Sequence, residues 1–581
     1  MKQTNFSVHP SQRDIFVDQL INEGSPKYNI GGYIKLIGIL DIEILEQAAN
    51  LASKDFDAFK MRFDFGNLDY QGIVDEEFTG IEITKLDFSE SVNPITEANL
   101  WMQKRFNTVF EFGIEKLLFE HVLIKISETE HWFFHKYHHL ITDGYGFAVW
   151  VKHFSETYKS LKLGVYTSSK FASYVEESNN ALVYLGSKDY QEDSSYWQSK
   201  FKEKPSHLLE QRRLLKTDEV LGGTHIYVPD LEEKNSLDRI VESTGYGLQP
   251  LTIAVLLVYF GKISNLSTIA LGVPVHKRSS KKLKNIVGMF SSILPFTGTY
   301  DSQKTFLELL SEVSAALKSD YRHQNYPMGD LSRDLKLNPQ QDSLTDVVVN
   351  YESLNFVPDF GSDIKASIIR LGSEFEDRPL EICWRDYGDQ QPLELVFLYL
   401  KTYFSEEEIK SFSNSLMFML KQIPELLNKP VNQFKIILDS EWTLLKSFNQ
   451  TNQPFSKDQT IVELFEQQVK STPNQTALVY EGQTLSYQEL NERANQLAYY
   501  LRAKGVKPET RLAICLDRGF EMLVGILGIL KSGGAYVPID PQYPAERVQY
   551  MLEDCSATIV VSTSAQSALF QEHQAIKQTE L

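Results

Sequence analysis

His138-His139-Leu140-Ile141-Thr142-Asp143-Gly144 places two imidazoles, a carboxylate and a glycine in one short stretch. Histidine is the side chain best suited to hold or move a proton near neutral pH. The aspartate that follows can orient such a site or pair with an arginine, and the glycine lets backbone approach a ligand closely. The flanking sequence says what positions these groups. Leu123–Ile126, a polar turn at Glu128-Thr129-Glu130 and the aromatic-rich Trp132–Tyr137 read as a β-hairpin. After Gly144 the apolar residues Phe147, Trp150, Val151, Phe154, Tyr158 and Leu161 recur at helical spacing. The histidine pair is therefore expected at a strand-to-helix junction, aimed into a cleft.

The pattern H-H-x-x-x-D-G resembles the signature of condensation domains of nonribosomal peptide synthetases and, in shorter form, that of chloramphenicol acetyltransferase-like acyltransferases. Other stretches resemble the same family in order. Pro10–Gln19 looks like its opening motif, with Ser11 as the expected helix N-cap. Tyr28–Tyr33 is similar to its first strand. Ala58–Phe63 resembles the tail of the second motif, although Asp55-Phe56 stands where that motif opens with Arg-His. Val273–Arg278 matches the strand and basic residue that follow a central helix, here Leu251–Ile263. Asn285–Pro295, His323–Pro327 and Val347–Tyr351 look like the fifth motif, the sixth motif and the strand bearing an active-site asparagine, Asn350. The resemblance covers roughly residues 5–430.

The resemblance implies an α/β fold: two chloramphenicol acetyltransferase-like lobes, about 1–175 and 176–430, forming a V-shaped domain around a tunnel. Two carrier proteins would deliver thioesters into it on 4′-phosphopantetheine arms, with no cofactor bound covalently and no metal. Holding both arms end to end makes amide formation nearly unimolecular, which can supply several kcal/mol. His139 is expected to accept the acceptor amine's proton, or to hold the amine and stabilise the tetrahedral intermediate. His138 is expected to be structural, and Asp143 to pair with Arg278 and fix the loop. Gly144 is expected to lend a backbone N–H toward the oxyanion. Asn350, a poor strand former among valines, is either a cleft residue or a satisfied core amide. His135 and His323 read as packing or surface histidines.

Related classes fit less well. An epimerisation domain would carry a glutamate-bearing motif where His276–Lys281 stands, and a heterocyclisation domain would have aspartates in place of the histidines. A coenzyme A-dependent acyltransferase of the same superfamily is the alternative. Asp143-Gly144-Tyr145-Gly146 and the stretch His323–Leu335 look more like starter-type domains that N-acylate a first amino acid. The chain opens on this domain without a preceding carrier, so the donor is expected to be either a starting acyl group or a peptidyl group from another synthetase polypeptide.

The chain changes character beyond about residue 430. Ser405-Glu406-Glu407-Glu408 reads as a capping box opening a helix that Pro424 kinks or ends. Residues 431–457 read as a linker whose first half, with Trp442, Leu444 and Leu445, packs on something. From residue 458 helices and strands alternate, which argues for an α/β layer. Leu485–Leu490 and Leu530–Asp540 resemble the first two core motifs of adenylation domains. ATP and magnesium would serve a complete domain of that kind, but the Ser/Thr/Gly-rich phosphate loop expected after Ile559–Ser562 does not appear before Leu581. Residues 458–581 are therefore expected to be an inactive, truncated N-terminal part.

Composition sets outer bounds. Among 581 residues, 42% are hydrophobic and 23% charged, ordinary values for globular protein. A net charge of -19 argues against nucleic acid as partner. Cys383, Cys515 and Cys555 fit no zinc spacing or disulfide framework. The N-terminus lacks a signal-peptide apolar region, and no apolar run reaches the roughly 20 residues of a membrane span. A large cytoplasmic enzyme with no membrane partner is expected.

Overall fold

A computed structural model describes residues 3–63, 71–209, 221–264, 266–338, 343–353, 356–372, 375–376, 378–388, 392–570 and 577–580. The chain forms two compact units, Met1–Leu445 and Lys446–Leu581.

Two sheets organise the first unit. In one, the hairpin strands Phe119–Ser127 and Glu130–His138 lie beside Asn29–Gly38, with Thr84–Asp87 at one edge and Ile364–Arg370 at the other. That last strand crosses over from late in the sequence, so the first sheet draws an edge strand from well beyond residue 176. The second sheet runs in the order Ser292–Thr299, Thr268–Val275, Val347–Ser353, Leu380–Asp386, Glu394–Leu400 and Gly222–Tyr227.

Side-chain alternation decides which residues face the core. Val347, Val349, Leu380, Ile382 and Trp384 enter one apolar core with the helix Leu248–Ser264. That helix is apolar all round and almost wholly buried, as a core helix must be. Alternation then turns Asn350, Glu352, Glu381 and Arg385 to the opposite face. On the first sheet, Phe133 and Tyr137 pack against Trp150, Phe154 and Tyr158 of the motif helix Gly144–Lys162.

Three local expectations change. His9, not Ser11, caps the first helix, Pro10–Ile21: its ring accepts the Ser11 N–H, and Gln12 closes the capping box. Ser11 lies inside the first turn, where its hydroxyl donates to Phe290 O at 3.0 Å. Pro424 does not end its helix, which runs Glu406–Leu426; so close to the C-terminal end, little regular helix is left for it to disrupt. The stretch read as a linker contains the helix Asp439–Phe448, and Trp442, Leu444 and Leu445 on it are exposed.

The second unit pairs a hairpin, Thr476–Tyr480 with Gln483–Ser486, with a parallel sheet ordered Ala535–Pro538, Arg511–Cys515, Ile559–Ser562 and Lys577–Glu580. Its helices Tyr487–Ala503 and Phe520–Ser532 pack through Leu497, Leu501 and Ile529. Among the described residues no single helix is long and apolar enough to cross a membrane.

Four buried histidines make stability depend on acid. Burial pushes His9, His121 and His138 down to about 3 and drives His135 well below its ordinary value. The unfolded chain protonates these rings near pH 6.5 while the folded chain does not. Their contribution is therefore intact above about pH 6.5 and lost as pH falls, at about 1.4 kcal/mol per pH unit for each ring. Urea unfolding between about pH 7 and about pH 5 is expected to show this steep loss. His121→Phe keeps the ring stacked on Trp150 and is expected to flatten the slope by one proton; an unchanged slope would mean His121 titrates alike in both states.

Candidate active site

The motif strand ends at His138 and the motif helix starts at Gly144, so the intervening loop sits where the hairpin meets the helix. The two histidines there have opposite fates. His138 is 2% exposed. Its Nδ1 accepts the Leu140 N–H at 3.1 Å, so the ring proton is on Nε2 and is given to Gln19 Oε1 at 3.0 Å. Phe112, Phe110 and Tyr28 enclose the ring. With both nitrogens occupied and protonation suppressed, His138 holds the loop and is not available to a substrate.

His139 is half-buried. Its backbone N–H is anchored on Tyr28 O at 2.8 Å. Burial, the largest influence, lowers its pKa; the Asp143 carboxylate and nearby backbone carbonyls oppose this, and Arg378 adds to it. The net direction is down, so the ring is neutral at neutral pH and able to take a proton. Its Nδ1 is enclosed without a well-formed hydrogen bond.

Asp143 gathers five donors. Its Oδ1 accepts from Gly146 N at 2.8 Å and Arg278 Nη2 at 2.9 Å. Its Oδ2 accepts from Arg278 Nη1 at 2.8 Å and from the N–H groups of Phe290 and Ser291 at 3.1 Å each. Burial pushes this carboxyl up, but the Arg278 charge and the hydrogen bonds outweigh it and hold it below the usual carboxylate range. Both partners are almost wholly enclosed, 2% and 0% exposed at the side chain. Arg278 also donates to Gly288 O at 3.0 Å and lies over the rings of Tyr145 and Phe290.

Around this pair the loop carrying Gly288–Ser291 is tied to the motif helix. Tyr174, the first residue of the separate helix Tyr174–Leu185, holds the same loop by donating its hydroxyl to Met289 O at 2.6 Å. A side chain at Gly146 would begin 2.5 Å from Thr142 Oγ1 and 3.2 Å from Gly288 N, so the helix and loop approach this closely only because that residue is glycine.

Gly144 is the first residue of the helix, among those whose N–H groups have no intrahelical acceptor. Asn350 lies on the face opposite the core and donates to Glu381 Oε1 at 3.2 Å; it is half-buried, and burial raises the Glu381 carboxyl. His323 pairs with Asp193 at 2.6 Å and stacks on Tyr196, while His135 is buried against Phe147.

Several supports were not read from sequence. Gln12 donates to Leu140 O at 2.7 Å, and Gln19 meets His138. Both amides are buried on one helix at i and i+7, a spacing that could have flagged them. Glu352 joins Arg370 and Arg385 across strands. Beside Gly144, a cavity of about 80 Å³ is lined by Phe147, Ala148, Phe356, Val357, Ala366 and Ile368, with Arg370 on its wall.

The condensation-domain family matches residues 2–445. The chain belongs to that family. Residues 465–581 match the AMP-binding enzyme family, so a fragment of an AMP-binding domain follows the condensation domain. Tyrocidine synthase 3 of Brevibacillus parabrevis is 29% identical over 578 residues, covering 97% of this chain and 8% of that protein. A dimodular nonribosomal peptide synthase of Bacillus subtilis (strain 168) is 27% identical over 577 residues, covering 99% of this chain and 24% of that protein. The chain thus spans a small part of the curated relatives it matches. A four-domain nonribosomal peptide synthetase bound to AMP and glycine superposes with a TM-score of 0.81 at 16% identity, covering 100% of this chain and 45% of that one. The starter condensation domain of rhizomide synthetase gives 0.62 at 20% identity, covering 75% and 100%. At these identities the structures establish the fold, a mixed α/β condensation domain with part of an AMP-binding domain.

Removing one partner of the enclosed pair leaves a charge without compensation, which costs about 3–5 kcal/mol. Asp143→Ala is expected to show this as a lower urea midpoint or as insoluble protein. A soluble Asp143→Ala variant that melts like the wild type yet forms no product would make Asp143 a substrate-contacting residue.

Proposed function

We propose that the first unit forms an amide between a donor acyl or peptidyl thioester and the amine of an aminoacyl acceptor, each carried on the 4′-phosphopantetheine arm of a carrier protein. The observation that carries this reading is the division between the histidines: His138 has both nitrogens engaged, while His139 is neutral and half-buried. In this reading His139 takes the amine's proton, or holds the amine, as it attacks the donor carbonyl. Asp143 and Arg278 do not touch the substrate; they fix the loop that aims His139. Gly144 lends its N–H to the developing oxyanion, and Asn350 shapes the cleft from the second sheet. The condensation domain spans about residues 1–430, its partners are carrier domains and other synthetase modules, and the setting is the cytoplasm.

The donor is proposed to be a starting acyl group, with the domain N-acylating the first residue of a lipopeptide. The apolar cavity on the motif helix beside Gly144 supports this, because an aliphatic chain there would lie next to the loop that carries His139.

Mass spectrometry of products, after offering acyl- and peptidyl-loaded carriers with one aminoacyl carrier, tests both levels. N-acyl aminoacyl product is expected. Peptidyl transfer alone would overturn the starter reading, and acyl transfer from coenzyme A without any carrier would favour the acyltransferase alternative. His139→Ala is expected to lower amide formation by about 10²-fold or more, and an unchanged rate with intact carrier binding would remove it from the mechanism.

We propose further that residues 458–581 carry no ATP chemistry of their own, since that stretch contains no Gly-rich phosphate cradle. No ATP–pyrophosphate exchange is expected from the 581-residue chain with any amino acid, whereas residues 1–445, a compact unit, should retain condensation. Exchange above background would show that this segment does bind and use ATP.

A further inference from the structure

We propose that Arg370 is a catalytic residue of the condensation step, donating a guanidinium N–H to the donor carbonyl oxygen as it becomes an oxyanion. The proposal rests on the condensation reading given above.

Register places the residue. In the crossover strand Ile364–Arg370, Arg370 stands opposite Gly32, and Gly32 stands opposite His135. Strand alternation puts Ala366, Ile368 and Arg370 on one face, and all three line the cavity that also touches Gly144 and Phe147 of the motif helix. Arg370 Nη1 is held by Glu352 Oε2 at 2.6 Å. Its Nη2 lies 3.7 Å from the point where a Cβ on Gly144 would be. Glu352 fixes one arm of the fork, and the other reaches the start of the motif helix.

An ion pair that merely tied the crossover strand to the second sheet would need one arginine. Here Arg385 also reaches the same Glu352 oxygen, at 3.3 Å, so two guanidiniums share one carboxylate. Burial pushes that carboxyl up, but the two arginines outweigh it and keep Glu352 ionised. Two further carboxylates share this face: Glu381, which burial raises and which accepts from Asn350, and Glu394, which stands opposite Arg385 and accepts from the Tyr387 hydroxyl at 3.1 Å. Arg370 is the charged side chain in the lining of this cavity, among largely apolar neighbours. Such an arrangement is costly in the resting protein and favourable when negative charge develops beside it.

The reaction develops that charge. The acceptor nitrogen bonds to the donor carbonyl carbon, and the C=O π pair moves onto oxygen. When the C=O re-forms, the C–S bond breaks, and the proton lost from nitrogen passes to the departing sulfur. The products are an amide and a thiol. An acyl chain seated against Phe147 and Ile368 would bring its carbonyl toward Gly144, within reach of Nη2.

The test uses the full chain with the donor and acceptor carriers that give the fastest wild-type product. Arg370→Ala is expected to lower kcat by about 10²–10³-fold with little change in KM, as loss of an oxyanion donor does. Millimolar methylguanidinium is expected to restore at least about tenfold of that loss, a rescue that a purely structural role would not allow. Arg370→Lys keeps a charge for Glu352 but moves the donor; it is expected to melt like the wild type and to lose about tenfold in kcat. Wild-type kcat in Arg370→Lys, or an Arg370→Ala defect confined to KM and not rescued, would overturn the proposal. If Arg370→Ala does not fold, Arg370→Lys decides alone. A wild-type chain that forms no amide with any loaded carrier would instead overturn the condensation reading and leave the Arg370 variants without a reaction to report on.

Discussion

The Asp143–Arg278 pair is the interaction on which the site depends. A charge taken out of water is expensive, and an enclosed ion pair breaks even only when its remaining lone pairs and protons are also satisfied. Asp143 meets that condition with Arg278 and the N–H groups of Gly146, Phe290 and Ser291. The donors come from three places: the motif helix, Arg278 three residues past the strand Thr268–Val275, and the loop that carries Phe290 and Ser291. The pair therefore specifies where three segments meet. A hydrophobic replacement of similar volume could match its stability without matching that geometry.

The same enclosure separates the two histidines chemically. One residue apart, they differ in how many ring nitrogens the protein already uses. His138 sits under Phe110 and Phe112 with both nitrogens bonded, and burial holds it neutral down to about 3. His139 is also pushed down by burial, but the Asp143 carboxylate opposes that push. Asp143 thus acts twice: through hydrogen bonds it fixes the loop, and through its charge it keeps His139 more basic than burial alone would allow.

Local pattern made the hairpin, the motif helix and the central helix legible: a polar turn before the aromatic-rich Trp132–Tyr137, helical apolar spacing through Phe147–Leu161, and a nearly continuous apolar run through Leu251–Ile263. The chemistry-bearing loop was legible because its residue types are unusual together. The cap at His9 was not, since serine is the commoner capping residue and the competing use of the Ser11 hydroxyl lies on Phe290, far along the chain. Glu352, Arg370 and Arg385 were invisible for a related reason. Their meeting depends on a late strand crossing to the edge of the first sheet, and strand order is not written in local periodicity. The half-buried state of His139 likewise follows from what packs above the loop, not from the loop's own sequence.

Net charge carries little information about this site. A chain at -19 has an acidic exterior on average, yet arginines gather around the motif loop: Arg278 at its base, Arg378 near His139, and Arg370 on the cavity wall, sharing Glu352 with Arg385. Exposed carboxylates set the bulk value and are screened within about 8–10 Å at physiological salt. Enclosed arginines act at contact distance in a medium that screens far less. The field beside the motif loop is therefore set by a few guanidiniums and by which carboxylates burial leaves ionised, Glu352 and Asp143 being held charged by their arginines while Glu381 is raised.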